Sequence, residues 1–484
     1  MMILQKWLSL FQKIKSYKSL RKMCMENYKF ISNVQWQVNS TCNLKCKHCF
    51  LSEPNVKNEE IDYKNAVKIV NLLKNSGIKK IDFTLREPLA YKNIYKLMEY
   101  CYKQNLGINL LTNGIVLNDE ENVKKLFEVN LSTLNISLEG ISEKTNDYTR
   151  GNGVFKKVIT GVNLINKYRK KYNLYFPIIV HFTLSSINAN ESSKIPNFFN
   201  ELGIDALTIS EIDLKGEAKK NKYLKLNQNE TNEAIEKIIH YYSKLEEKNF
   251  AVSTDTVSPI ADLYFNLKYN LNIPINRPRC SVLSDNFIIN SDNELCTCPK
   301  MLYGDFDAEK YADLIKYNIF NLDESKKFYN HISKFKKNII NIKNEYQYYA
   351  CGECMFYEEC VLCPFVNKDS KALANTSNMC GSYKNKLNKL IDEIINNLQR
   401  YNIRLKNTSS IAKNGSNYIF KNIYKLGVPY ERNIILDVDE QHVIECILRK
   451  ENSDIYFQIE RLKEPKKFLK KIIFTDCIEF LERR

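Results

Sequence analysis

The chain has 484 residues, 44% of them hydrophobic and 26% charged, with 72 lysines and arginines against 56 acidic residues and a net charge of +16. That length supports two or three domains with substantial cores, and no apolar run approaches the ~20 residues needed to cross a bilayer. Fifteen cysteines in a large chain with no signal peptide point away from a small disulfide-stapled scaffold and toward metal binding in a reducing compartment, so the cytoplasm is the expected location.

The start, Met1 to Met23, carries Leu4, Trp7, Leu8, Phe11, Ile14 and Leu20 with lysines between them, the period of a basic amphipathic helix, and residues 1–30 are expected to form one. Elsewhere the lysines are spread along helical patterns without a dense basic block. This indicates a solvated surface rather than a nucleic-acid site, although the long-range positive field would speed association with an anionic partner. Directly after an alternating run at 34–38 comes Cys42-Asn43-Leu44-Lys45-Cys46-Lys47-His48-Cys49. Structural zinc sites are closed by four ligands and iron–sulfur clusters are held mostly by four thiolates, so three thiols suggest that something else takes the fourth place. A zinc loop, or three unrelated reduced cysteines, is the plain alternative.

From there to residue 225 short β-like runs alternate with helical patterns, which is how a parallel sheet with helices outside it is built. Six strands are expected, at 34–38, 80–84, 108–112, 133–138, 178–183 and 206–210. Between the first two, residues 62–74 place Ala66, Ile69, Val70 and Leu73 on one helical face. The fold class is α/β, a partial (β/α)6 barrel over residues 31–225. Reactive groups in such barrels sit on loops at the C-terminal ends of the strands, where the cysteine loop falls.

Cys-x3-Cys-x2-Cys after a first strand resembles the signature of radical S-adenosylmethionine (SAM) enzymes, in which a position before the last cysteine is usually aromatic; here it is His48. The later strand ends are similar to the same family in order and spacing. Leu85-Arg86-Glu87-Pro88 stands where the family usually has Gly-Gly-Glu-Pro. Thr112-Asn113-Gly114 agrees with it, and Ser137-Leu138-Glu139-Gly140 is close to its Ser-x-Asp-Gly, followed by Arg150-Gly151. The resemblance implies a [4Fe-4S] cluster on Cys42, Cys46 and Cys49. It also implies SAM contacts from Glu87 to the amino group, from Asn113 and Ser137, and from Arg150 to the carboxylate. Leu85 and Arg86 add side chains where glycines let backbone approach the ligand.

A helical connector is expected over 226–275, followed by a second cysteine-rich region at 276–385. Cys280, Cys296 and Cys298 come first, then Cys351-x2-Cys354-x5-Cys360-x2-Cys363, and finally Cys380. The spacings make a metal site but do not separate zinc from iron–sulfur. Behind a barrel of this kind the region resembles the SPASM extension, a twin auxiliary-cluster domain, with Asn293 where the family usually has glycine. The resemblance assigns Cys351, Cys354, Cys360 and Cys380 to the second auxiliary cluster and Cys280, Cys298 and Cys363 to the first. Its fourth position is open to either Cys296 or a substrate thiolate. Cys24, Cys101, Cys446 and Cys477 are isolated and read as structural.

Residues 386–484 are expected to form a helix and a small α+β module, with antiparallel strands at 433–438, 442–449 and 454–460 and a final helix at 466–482. The module would bind a substrate peptide or cap the fold. Together these features lead to the expectation of an enzyme that cleaves SAM reductively and abstracts hydrogen from a peptide or protein side chain, in the maturation of a ribosomally made peptide. Its expected partners are that substrate and a reducing protein such as flavodoxin or ferredoxin. A sulfatase-maturing enzyme, or a degenerate relative that binds peptide or carries electrons without cleaving SAM, are the alternatives.

Overall fold

The computed structural model describes residues 33–51, 60–254, 259–274, 286–296, 317–321, 370–414, 417–423, 429–449 and 455–482. The expected N-terminal helix, Cys24, Cys280, Cys298, Cys351, Cys354, Cys360 and Cys363 lie outside the described residues.

All six expected strands are present. In chain order the elements are β1 (Asn33–Trp36), α1 (Tyr63–Asn75), β2 (Lys80–Phe83), α2 (Ile94–Lys103), β3 (Gly107–Thr112), α3 (Glu120–Glu128), β4 (Thr133–Ser137), α4 (Glu143–Arg150), α5 (Val154–Tyr172), β5 (Ile178–Leu184), α6 (Ile195–Leu202) and β6 (Ala206–Glu211). The helix expected at 62–74 is α1. The Asp62 side chain caps it by accepting from the Asn65 amide at 3.0 Å, and Ala66, Ile69, Val70 and Leu73 are buried. Burying each of the three larger side chains is worth about 1.5–3 kcal/mol, against about 1 kcal/mol for a cap. Packing on the sheet, more than capping, therefore holds this helix.

The sheet does not stop at six strands. After α7 (Gln228–Ser243), β7 (Ala251–Thr254) adds in parallel to β6. After α8 (Pro259–Tyr269), β8 (Asn286–Ile289) pairs in parallel with β1 on its other side. β9 (Glu294–Cys296) and β10 (Tyr317–Asn318) then add antiparallel, giving the order β10-β9-β8-β1-β2-β3-β4-β5-β6-β7. From β1 to β7 each strand lies beside its neighbour in sequence, as in a barrel wall, with no reversal of order of the kind seen in a doubly wound sheet. β7 is four residues long and follows a charged stretch, which gave it no legible alternation. Asn293, in the turn between β8 and β9, has φ 62°, the left-handed backbone its family counterpart would adopt as glycine.

The C-terminal part begins with α9 (Ser370–Asn396) and continues through β11 (Tyr401–Leu405), β12 (Ser409–Asn414), β13 (Asn417–Ile423), β14 (Pro429–Ile435), α10 (Val438–Arg449), α11 (Ile455–Glu460), α12 (Pro465–Ile473) and β15 (Ile478–Glu482). β12, β13 and β14 form an antiparallel meander and β11 pairs with β15. Two expectations are corrected here. Residues 442–449 are helical, because Val443, Ile444 and Ile447 share a buried helical face and because Asp437 and Glu440 exchange backbone-to-side-chain bonds of 2.8 and 3.1 Å, a capping box, and residues 455–460 are helical with Ile455 and Ile459 buried one turn apart. The expected helix at 466–482 ends at Ile473, and Asp476 at φ 52° turns the chain into β15.

This module is packed on the barrel side of the chain. Tyr383 of α9 is buried against Phe265 of α8 with ring centroids 5.4 Å apart. Asp476 accepts from Lys406 at 2.7 Å and from Asn266 at 3.0 Å, all three buried. Cys101, Cys446 and Cys477 are buried, as expected of structural thiols.

Candidate active site

The cysteine loop is tied to the ends of several neighbouring strands. The Glu87 amide donates to the Thr41 carbonyl at 3.3 Å, and the Asn113 side chain donates to Asn43 Oδ1 at 2.7 Å. On the other side the Lys47 amide donates to the Thr149 carbonyl at 2.8 Å, and the Cys49 carbonyl accepts from the Glu217 amide at 2.9 Å. The loops after β2, β3, β4 and β6 thus converge on the one after β1, where the barrel rule places reactive groups.

Glu87 is buried, its carboxylate held by the Thr112 hydroxyl at 2.7 Å, the Asn113 amide at 2.7 Å and the Leu89 amide at 3.0 Å. Burial nevertheless pushes its carboxyl above the usual range, because three neutral donors do not replace the solvation of a full charge. A cationic ligand would. Arg150 is also buried and donates from Nη1 to Glu139 Oε2 at 2.6 Å, while its Nε has no hydrogen-bond partner among the described residues. Such an orphaned donor fits an anionic acceptor. Arg150 lies within electrostatic reach of Glu87, so the two present a carboxylate and a guanidinium suited to the ammonium and carboxylate of an amino-acid group.

Glu139 is the residue whose part was not legible from the sequence. It neutralises Arg150, and its Oε1 lies 3.6 Å from His48 Nε2. His48, whose Nδ1 has no partner among the described residues, is held below the ordinary histidine range by burial. The only signal was one methylene more than the aspartate usual in that motif. Gly140 beside it is pressed on α4: a Cβ there would lie 2.3 Å from Thr145 Oγ1 and 2.5 Å from the Asn146 amide. Asn113 uses its side chain to hold Asn43 and to accept from the Ile115 amide, and Ser137 stands half-buried at the end of β4.

Leu85 and Arg86 keep the backbone that glycines would adopt, with φ 63° and 115°. Each such conformation costs a non-glycine residue about 1–3 kcal/mol. Leu85 offsets its share by packing with Leu51 and Ile288, against Cys49 and Phe50, so it also buttresses the cysteine loop. At position 86 the comparison of two truncations isolates the backbone. Arg86→Gly is expected to be more stable than Arg86→Ala by about 1–3 kcal/mol in denaturant unfolding, since both lose the guanidinium and only one relieves φ; equal stability would contradict this.

In a four-iron cluster each thiolate binds its own iron, so three thiols on one loop can hold one without converging on a single point. Burial pushes the Cys46 thiol up to about 12, with Arg150 opposing it. Ligation has to deprotonate it.

The result is an open parallel β/α barrel wall with three thiols after its first strand and a buried carboxylate and guanidinium after later ones. Residues 36–187 match the radical SAM superfamily. It is 29% identical over 231 residues to the Fe-coproporphyrin III synthase of Methanosarcina barkeri, covering 47% of this chain and 56% of that protein. The chain thus spans about half the length of the curated relatives it matches. Streptococcus suis SuiB bound to S-adenosylmethionine shares the fold with a TM-score of 0.53 and 17% identity, over 72% of this chain and 76% of that one. Native anSMEcpe with bound AdoMet and Kp18Cys peptide does so with a TM-score of 0.51 and 18% identity, over 75% and 99%. Among the described residues no helix is long and apolar enough to cross a membrane.

Proposed function

We propose that this chain is a radical SAM enzyme that modifies a peptide or protein side chain, in the manner of a maturase of ribosomally made peptides. The observation that carries the reading is that Glu87 and Arg150 are both buried and within electrostatic reach of each other, with Arg150 Nε lacking a hydrogen-bond partner among the described residues, beside a loop of three thiols. The peptide bound in the anSMEcpe structure supports a peptide substrate over the tetrapyrrole chemistry named for the Methanosarcina relative, because its fold likeness extends over three quarters of this chain.

Cys42, Cys46 and Cys49 would hold a [4Fe-4S] cluster, which with SAM bound supplies a 5′-deoxyadenosyl radical able to abstract hydrogen. The protein's own part is orientation. Glu87 holds the ammonium of SAM and Arg150 its carboxylate, Arg150 being kept in place by Glu139. Asn113, whose amide donates to Glu87, and Ser137, at the end of β4, would add further SAM contacts. Two auxiliary clusters would be held by Cys280, Cys298 and Cys363, and by Cys351, Cys354, Cys360 and Cys380; Cys380 lies in α9. The fourth position of the first is left to Cys296, at the end of β9, or to a substrate thiolate.

Glu87→Ala removes a charge-assisted contact worth about 1.5–3 kcal/mol, so SAM binding by calorimetry is expected to weaken by roughly tenfold to a hundredfold. In the wild type, binding needs the ionised carboxylate. Since the Glu87 pKa is raised, affinity is lost as pH falls through a value above ~4.3, the ordinary glutamate pKa. SAM affinity unchanged by Glu87→Ala would contradict the assignment.

A further inference from the structure

The segment after β6 wraps the end of the cysteine loop and is strongly basic. Between residues 213 and 225 it carries five lysines against the two carboxylates Asp213 and Glu217. Its backbone grips the loop directly: the Glu217 and Ala218 amides donate to the Cys49 carbonyl at 2.9 and 3.3 Å, and the Asn221 side chain donates to the Lys47 carbonyl at 3.2 Å. Of the lysines, Lys220 is engaged with Glu217 at 2.8 Å, whereas Lys219, Lys222 and Lys225 are exposed and make no ion pair among the described residues.

Beside them lies an exposed aromatic pair. Tyr148 and Tyr223 are 40% and 52% exposed, their hydroxyls 3.2 Å apart, and the Lys47 ammonium sits 3.7 Å from the centre of the Tyr148 ring. The exposed tyrosines offer aromatic anchors, and the lysines beside them, without an ion pair among the described residues, give the face a positive field. This surface differs from the SAM-binding groups, Glu87 and Arg150, which are buried.

We infer that this basic, tyrosine-bearing face is the docking site for an acidic one-electron carrier protein of the flavodoxin or ferredoxin kind. The inference rests on the functional reading above. The lysines supply the field that steers an anionic protein, and the backbone contacts to Lys47 and Cys49 put whatever binds there next to the thiols. One electron leaves the carrier, which is oxidised, and enters the centre held by Cys42, Cys46 and Cys49, which is reduced; no bond is made or broken. An acidic substrate peptide would be drawn by the same charge, but the direct backbone contacts to Lys47 and Cys49, within the thiol loop itself, favour the carrier.

The test uses the full-length protein and the triple variant Lys219→Glu, Lys222→Glu, Lys225→Glu, with the corresponding Lys→Gln variant as a milder control. Binding of oxidised flavodoxin is measured by calorimetry at ~0.02 M and ~0.3 M salt, where surface electrostatics are strong and then screened. The wild type is expected to bind at least about tenfold more tightly at the lower salt, the Glu variant to lose that gain, and the Gln variant to fall between. With dithionite as reductant, all three are expected to form 5′-deoxyadenosine at similar rates. Flavodoxin binding that is indifferent to salt, or equal in wild type and Glu variant, overturns the inference. So does a Glu variant that keeps flavodoxin but loses an acidic model peptide. Absence of 5′-deoxyadenosine from the dithionite-reduced wild type would defeat the functional reading instead, leaving the calorimetry to decide the surface.

Discussion

Replacing Cys42, Cys46 and Cys49 together by alanine is expected to lower the iron and sulfide content by one cluster's worth and to abolish 5′-deoxyadenosine formation completely. The loss follows from ligand chemistry: the variant keeps none of the loop's three thiols, and the neighbouring imidazole, His48, is buried against Glu139. The fold should survive, because the loop is held by backbone bonds to Glu87, Thr149 and Glu217 rather than by the thiols. Circular dichroism of the variant should therefore match the wild type. Reconstitution of the wild type has a pH sign as well. With Cys46 at about 12, loading releases a proton, so cluster uptake followed by absorbance should improve as pH rises and worsen as it falls.

The second large effect is at Arg150. Arg150→Leu leaves the Glu139 carboxylate buried without its partner, which costs about 3–5 kcal/mol, and it would also remove the proposed contact to the SAM carboxylate. The double variant Glu139→Leu, Arg150→Leu is expected to regain most of that stability in denaturant unfolding, since replacing a buried ion pair by apolar residues is often nearly neutral. It should not regain SAM binding. That split separates the structural role of the pair from the ligand-binding role of the guanidinium. Recovery of both, or of neither, would contradict the arrangement.

Much of this site was legible because barrel geometry converts sequence order into position. Cysteines after the first alternating run, Glu87 after the second and Asn113 after the third all fall at strand ends, and the structure brings them to one loop. What the sequence hid were interactions between distant side chains. Glu139 reads as a conservative change from aspartate, and only its contacts with Arg150 and His48 reveal that it balances a buried charge. Leu85 and Arg86 read as obstacles to a ligand, whereas their φ angles show that the backbone path was kept and the cost carried as strain. In the C-terminal module the β-branched Val443, Ile444 and Ile447 suggested strands. Their buried helical face and the Asp437–Glu440 capping box decide for a helix, because local β propensity is weaker than packing.

The central claim is that the thiol loop and the Glu87–Arg150 pair serve reductive cleavage of SAM. The most direct test is to purify and reconstitute the protein without oxygen, reduce it with dithionite, add SAM, and follow 5′-deoxyadenosine by mass spectrometry with the triple cysteine variant alongside. The account predicts an iron-containing brown protein that forms 5′-deoxyadenosine, and a variant that forms none. A colourless, zinc-containing wild type, or an iron-loaded one that binds SAM and never cleaves it, even with candidate peptides supplied, would contradict it.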